Sequence, residues 1–353
     1  MQHVPTQPLR ETEGAFASRR DILERLQVSE DTYNAVRRIF PVRWPRYYLD
    51  LADTHPAVAR MGTPTSRELV SDPGDLADPV SDQALRPHPF VVRKHRDRVI
   101  LLTTKKCHFY CRFCFRRDEP FQQAGEPTRE DWEGIFAFLA AHPEIEEPIL
   151  SGGDPLTLSD DMLAWIGTRL TAIASVRRWR IHTRAPVHHP HRVTPDLVAA
   201  LSQTKPLTVV THFNSAAEVT AETARVADLF HTAGIALKNQ AVLLAGVNND
   251  PAAQTLLWQA MEAHQIAPHY LHHPDRAAGN AAFRVTIAEG RALFQALRAR
   301  CTAPLPAYVL DLPDGRGKIP VPEMTATSAH LWTYTHPDGT VSVYRDTRDT
   351  SSR

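Results

Sequence analysis

Between Val99 and His272 short apolar runs alternate with helical stretches, and this alternation narrows the possible folds more than any other feature of the chain. Val99–Thr104, Pro148–Leu150, Arg178–Thr183, Leu207–Phe213, Leu237–Leu244 and Ala267–His272 read as strands. Helices read between them. One starts at Thr128-Arg-Glu-Asp131, a capping-box-like run, and continues to Ala141; a second follows a Ser159 cap as far as Ile173. Others begin at Pro195 and near residues 218–232 and 251–264. Such repetition requires parallel strands joined by crossovers, and six units suit a partial (β/α)6 barrel. A doubly wound sheet has the same periodicity and stays open at this point. A helix near 287–300 then leads to a last strand, Ala307–Leu312, and the tail reads as a hairpin, Leu331–Tyr334 with Val341–Tyr344.

Ahead of the alternating region, residues 1–18 are polar and read as loose. Ser18 to Arg38 reads as one helix, with Pro41 and Pro45 ending it, and a short helix follows from Tyr47 to Asp53. Residues 60–90 carry Pro and Asp throughout and read as an extended wrap. The expected organisation is an N-terminal helical and extended region over 1–95, a barrel over 96–300, and a C-terminal segment with a hairpin over 301–353. Lys plus Arg and Asp plus Glu each number 40, which argues against a general nucleic-acid binder. No apolar run approaches the ~20 residues of a membrane span, and the N-terminus has no signal-peptide core. A cytoplasmic protein with reduced thiols is expected.

Three of the four cysteines lie in Cys107-His-Phe-Tyr-Cys111-Arg-Phe-Cys114. Thiols bunched this tightly point to metal chemistry rather than to separate structural positions. Three thiolates cannot close a tetrahedral zinc site, and no cysteine or histidine pair at finger spacing completes one. They can hold three irons of a [4Fe–4S] cube and leave the fourth open to a small molecule. The fourth cysteine, Cys301, reads as a small buried hydrophobe.

The C-x3-C-x2-C spacing resembles that of the radical S-adenosylmethionine (SAM) enzymes. A longer set of stretches resembles the lysine 2,3-aminomutase family: Asp97-Arg-Val99, Cys114-Phe-Arg-Arg117, Leu150-Ser-Gly-Gly-Asp-Pro155, Thr183-Arg-Ala-Pro186, Thr211-His-Phe-Asn214, Asn239-Gln240 and Gly315-Arg-Gly-Lys318. The likeness covers Pro41 to Pro322 in the same order. It implies a partial TIM-like barrel of radical SAM type rather than a doubly wound sheet. It also implies three cofactors: a [4Fe–4S] cluster on Cys107, Cys111 and Cys114, SAM on its open iron, and pyridoxal phosphate (PLP) as radical carrier. An external one-electron reductant is implied as well.

Further roles follow from the same resemblance. Lys318 is expected to form the Schiff base with PLP, and Lys94, Arg98 and Arg184 to hold the PLP phosphate and ring. Lys94 stands where the family often has arginine, and Arg316 interrupts what is often an unbroken glycine run. Ser151, Gly152, Gly153 and Asp154, with His212, Asn239 and Gln240, are expected to contact SAM. Arg116 would hold a substrate carboxylate through its fork, and Asp275 with Asp311 the distal ammonium. Taken bare, Lys318 in a Gly-rich loop reads as a solvated lysine, His212 as a structural histidine, and the two aspartates as solvated loop carboxylates.

The implied reaction moves the α-amino group of L-lysine to C3. Formation of (R)-β-lysine for elongation factor P is the alternative, as is arginine or ornithine as substrate, since His272-His-Pro-Asp275 departs from the best-known lysine enzymes. A non-catalytic iron–sulfur protein is a third possibility, against which the filled PLP and substrate positions argue. No cysteine follows Cys301, so any oligomer is expected to lack the intersubunit zinc of the large lysine enzymes.

Overall fold

Among the described residues seven strands run parallel, side by side and in chain order: β2 (Arg98–Thr104), β3 (Glu147–Gly152), β4 (Trp179–His182), β5 (Leu207–Thr211), β6 (Ala236–Val242), β7 (Ala267–His272) and β8 (Ala307–Leu312). β1 (Val91–Val92) pairs antiparallel with β2 at one edge, and β9 (Gly317–Pro320) pairs antiparallel with β8 at the other. The nine-stranded sheet curls without closing, as a partial barrel does. The coordinates, a computed structural model, describe residues 14–117 and 125–346.

Crossover helices cover the outer face of the sheet. Before the barrel lie α1 (Arg19–Arg25), α2 (Glu30–Ile39), α3 (Arg46–Thr54) and α4 (Pro56–Arg60). In the barrel follow α5 (Arg129–Ala141), α6 (Asp160–Ala172), α7 (Ala185–His188), α8 (Pro195–Ser202), α9 (Ala221–Thr232), α10 (Pro251–Ala263) and α11 (Ile287–Arg300). The capping box expected at Thr128 forms: its hydroxyl accepts from Asp131 N at 3.2 Å, and the Asp131 carboxylate accepts from Thr128 N at 2.8 Å. Strand side chains alternate between the two faces. On β4, Trp179 and Ile181 are buried toward the helices, while Arg180 and His182 face the lumen beside Glu147 and Gln240.

The N-terminal region departs from the sequence reading in two ways. The single helix expected over Ser18–Arg38 is two, because Gln27 adopts φ 53° and Ser29 caps a new start. The polar start was expected to be loose, yet Ala17 N donates to Trp44 O at 2.9 Å; residues 1–13 lie outside the described set. The wrap over 60–90 holds only two single 3-10 turns, Ser66–Leu69 and Gln83–Leu85. After β9 a small antiparallel sheet, β10 (Thr325–Ala326), β11 (Leu331–Thr335) and β12 (Val341–Arg345), contains the expected hairpin.

The wrap and the first helices hold the cysteine-bearing loop from outside. Phe109 meets Trp44 and Tyr48 edge-on, each at 4.8 Å between ring centroids. Arg112 is 1% exposed; it pairs with Glu68 at 2.9 Å and donates to Pro41 O at 2.7 Å. Arg117 reaches the same Glu68 at 2.7 Å. Among the described residues no helix is long and apolar enough to cross a membrane.

Candidate active site

The cysteine loop, the Ser151–Asp154 turn, Arg184, His212 and Asp275 follow the carboxyl ends of strands, the face where barrel sites are built. The cysteine loop leaves β2 there. Cys107, Cys111 and Cys114 are free thiols, each half-buried. Burial pushes the Cys107 thiol well above its ordinary range, and Asp154 and the other two thiols push it further. Burial and Cys111 together push Cys114 up to about 11. Thiols that disturb one another in this way lie close together, and Arg116 and Arg117 act on Cys114 in the opposite sense. Among the described residues no three His, Cys, Asp or Glu side chains converge on a single ion. Thiolates on separate iron corners of a cube need not converge on one point.

Positive charge also reaches the loop from Arg184, just after β4. Its Nη1 donates to Cys111 Sγ at 2.9 Å, its Nη2 to Glu218 Oε1 at 2.6 Å and Tyr48 OH at 3.0 Å, and its Nε to His212 O at 3.0 Å. These contacts place Arg184 beside the cysteine loop, whereas Lys94 pairs with Asp82. All three guanidinium nitrogens are engaged beside the cysteine loop, and Glu218, fully buried, fixes them there.

The Ser151–Asp154 turn is built against the base of that loop. Gly152 has φ +116°, and a Cβ there would meet Thr104 O at 2.6 Å. Gly153 N donates to Thr104 O at 2.6 Å and Asp154 N to Lys106 O at 2.8 Å. These amides are thus taken up by the chain itself. The Asp154 carboxylate accepts from Thr183 Oγ1 at 2.5 Å, Leu156 N at 3.0 Å and Arg184 N at 3.0 Å. It braces the end of β3 to the end of β4.

Asn239 is a brace of the same kind. Its amide oxygen accepts from Phe213 N at 2.6 Å and its nitrogen donates to Phe213 O at 3.1 Å, so it mimics a strand neighbour beyond β5. Gln240 Nε2 donates to His212 Nε2 at 2.7 Å and lies 3.4 Å from His182 Nδ1. Burial, then Arg184, lowers the His212 pKa to about 3, so the ring is neutral and its Nε2 accepts.

A chain of charges of alternating sign crosses the mouth. Arg116 Nη1 donates to Ser151 Oγ at 3.1 Å and its Nη2 to Asp82 Oδ2 at 2.8 Å. Lys94 Nζ pairs with Asp82 Oδ1 at 2.8 Å and lies 3.9 Å from Asp311 Oδ1. Lys318 Nζ donates to Asp311 Oδ2 at 2.5 Å. The order is Arg116, Asp82, Lys94, Asp311, Lys318. Arg98 sits at the amino end of β2 with Asp97 at 3.5 Å, and after burial Arg98 and Lys318 both lower the His95 pKa.

Asp275 and Asp311 differ. Burial, then the Asp311 carboxylate, pushes Asp275 up to about 7. Burial would raise Asp311 too, but Lys318 and Lys94 outweigh it and hold Asp311 at about 2. The same neighbours keep Lys318 charged: burial alone would lower its pKa, while Asp311 and Asp275 raise it above the ordinary lysine value.

Lys318 was expected in a Gly-rich loop and instead stands on β9, directly opposite Asp311. Only the flanking positions need glycine, since Gly315 and Gly317 have φ of +80° and +84°. Arg316 between them reaches the tail sheet, with Nη1 at 3.5 Å from Asp338. The sequence reading missed Asp82, which is 1% exposed, as well as Glu68 and Glu218. Each is a lone acidic residue in a polar stretch, and nothing local marks it as the counterion of a distant arginine.

Residues 101–258 match the Radical SAM superfamily. L-lysine 2,3-aminomutase of Methanococcus maripaludis is 33% identical over 80% of this chain and 66% of that protein, so the chain spans about two thirds of its length. L-lysine 2,3-aminomutase of Haemophilus influenzae is 32% identical over 79% of this chain and 84% of that protein. Glutamate 2,3-aminomutase of Clostridioides difficile is 32% identical over 78% of this chain and 66% of that protein.

Proposed function

The chain belongs to the lysine 2,3-aminomutase family of radical SAM enzymes, and from that premise we propose that it is an isomerase that moves the α-amino group of L-lysine to C3. The observation that carries the substrate is the charge chain. Arg116 stands at one end of it and Asp311 with Lys318 at the other, with Asp275 near enough for the Asp311 carboxylate to raise its pKa. A glutamate enzyme would need a cation where Asp275 and Asp311 stand, because a second carboxylate would be repelled there.

When bound, the cluster with SAM would supply a carbon radical, and PLP a π system across which an amino nitrogen can pass. Cys107, Cys111 and Cys114 would hold the cluster. Arg184 keeps a positive charge 2.9 Å from Cys111 Sγ, beside the loop that would carry the cluster. Lys318 would anchor PLP, with Lys94 and Arg98 toward its phosphate. Ser151, Gly152 and Gly153 form the edge offered to SAM, with His212 and Gln240 beside it. Asp154 and Asn239 act on that edge through the backbone they brace.

The substrate is held at both ends, so its α- and β-carbons cannot wander from the radical source. Arg116 meets the carboxylate; Asp311 and Asp275 meet the ammonium. Tyr270, whose ring centroid is 6.0 Å from Lys318 Nζ, walls that end of the lumen. Arginine and ornithine would find the same charges at a different reach.

An anaerobic assay with SAM, PLP and a reductant, offering lysine, arginine, ornithine and glutamate separately, tests the proposal. Lysine should give a product of unchanged mass with the amino group on C3. Preference for glutamate, or 5′-deoxyadenosine release without rearranged product, would leave only the family standing.

A further inference from the structure

The aspartate pair already has a primary ammonium beside it, and that ammonium is Lys318. We propose that in the chain without PLP, Lys318 is the resident ligand of the Asp311–Asp275 cation subsite, so the subsite opens to a diamino acid only once that ammonium has been consumed. The inference rests on the proposed function for the identity of the incoming amino acid. The occupied subsite itself rests on geometry.

Lys318 and Asp311 are directly opposed residues of the β8–β9 ladder, so the backbone register itself brings the two side chains together. Nζ lies 2.5 Å from Asp311 Oδ2, and Lys318 keeps about a third of its side chain exposed while Asp311 keeps 12%. Asp275 also favours the charged lysine. The terminal –CH2–NH3+ of Lys318 is chemically the same group as the distal end of a lysine substrate. The short contact with Asp311 Oδ2 is taken, and a second ammonium brought to the other oxygen would meet the like charge of Lys318. Lys94 does not compete for it, since Asp82 holds Lys94 at 2.8 Å while Asp311 lies 3.9 Å away.

Consumption of the ammonium is the condensation that anchors PLP. The Lys318 nitrogen forms a C=N bond to the aldehyde carbon, and two of its three N–H hydrogens leave with the carbonyl oxygen as water. At most one N–H remains, on a nitrogen now tied to the ring-bearing carbon. Asp311 then lacks the –NH3+ group it held, and a substrate ammonium can take its place. Cofactor loading would thereby precede substrate binding.

Equilibrium titration of the PLP-free chain, with neither SAM nor reductant, tests this without turnover. The probes are L-lysine and ethylammonium, the latter a fragment of the lysine side chain. Lys318→Ala should bind both about tenfold or more tightly than the unaltered chain. Lys318→Met, which keeps the bulk and removes the charge, should show a smaller gain for L-lysine and guards against poor folding of the alanine variant. Adding Asp311→Asn to Lys318→Ala should abolish the gain. Equal affinities in the unaltered chain and both variants, or a gain that survives Asp311→Asn, would overturn the proposal. If the gain appears but lysine is not rearranged in the full assay, the subsite inference stands and the proposed reaction does not.

Discussion

Asp275 and Asp311 carry the same side chain and titrate at opposite ends of the carboxyl range, one pushed up to about 7 and the other held at about 2. Lys318 touches Asp311 and only influences Asp275, and that difference separates them. The folded chain keeps a proton on Asp275 at pH values where the unfolded chain has lost it. The stability this gives is full below the ordinary carboxyl range and is lost as pH rises through about 7. Substrate affinity should run the other way, since a cation needs the ionised form. The KM for lysine should therefore climb as pH falls below about 7, and Asp275→Asn should flatten that limb; a pH series of both proteins checks this. At fixed pH, Asp311→Asn should raise the KM for lysine roughly ten- to a hundredfold, since charge-assisted hydrogen bonds contribute about 1.5–3 kcal/mol each. SAM affinity should not move. A KM unchanged in both variants would place the ammonium elsewhere.

At the scale of elements, the β8–β9 hairpin sets the chemistry through register. Side chains alternate across a strand, so a slip of one residue would turn Lys318 away from Asp311. The turn that fixes the register needs glycine at two positions. Gly317→Ala would put a Cβ on a residue with φ +84°, at a cost of about 1–2 kcal/mol. The variant should unfold at lower denaturant and take up PLP more weakly, as read by absorbance. Arg316→Gly should retain PLP binding, since Arg316 serves the tail sheet. PLP binding lost on Arg316→Gly and kept on Gly317→Ala would contradict this account of the turn.

Across the whole molecule, the N-terminal wrap acts as the clamp on the cysteine loop, and Glu68 is its fastening. One carboxylate, 6% exposed, serves both Arg112 and Arg117. Glu68→Gln should cost about 3–5 kcal/mol, as breaking a buried pair does. Iron retained per chain after anaerobic reconstitution should fall with it, although no cysteine has changed. Much of this protein is legible in the sequence. Alternating strand and helix periods specify the parallel sheet, because each period requires one face buried, and the cysteine spacing puts three thiols on one loop, because residues a few positions apart need only one loop. The family likeness singled out Lys318, Arg116, Asp275 and Asp311, and the register sets Lys318 directly opposite Asp311. Two things were decided only by tertiary structure. One is what each motif residue touches: Arg184 turns to Cys111 and Glu218, and Asp154 and Asn239 brace backbone rather than face the lumen. The other is the identity of the counterions, for Asp82 lies 34 residues from Arg116 and Glu68 lies 44 from Arg112. A local pattern records which groups a segment carries, whereas the free energy of a buried charge depends on its partner across the fold, which no window of neighbouring residues contains.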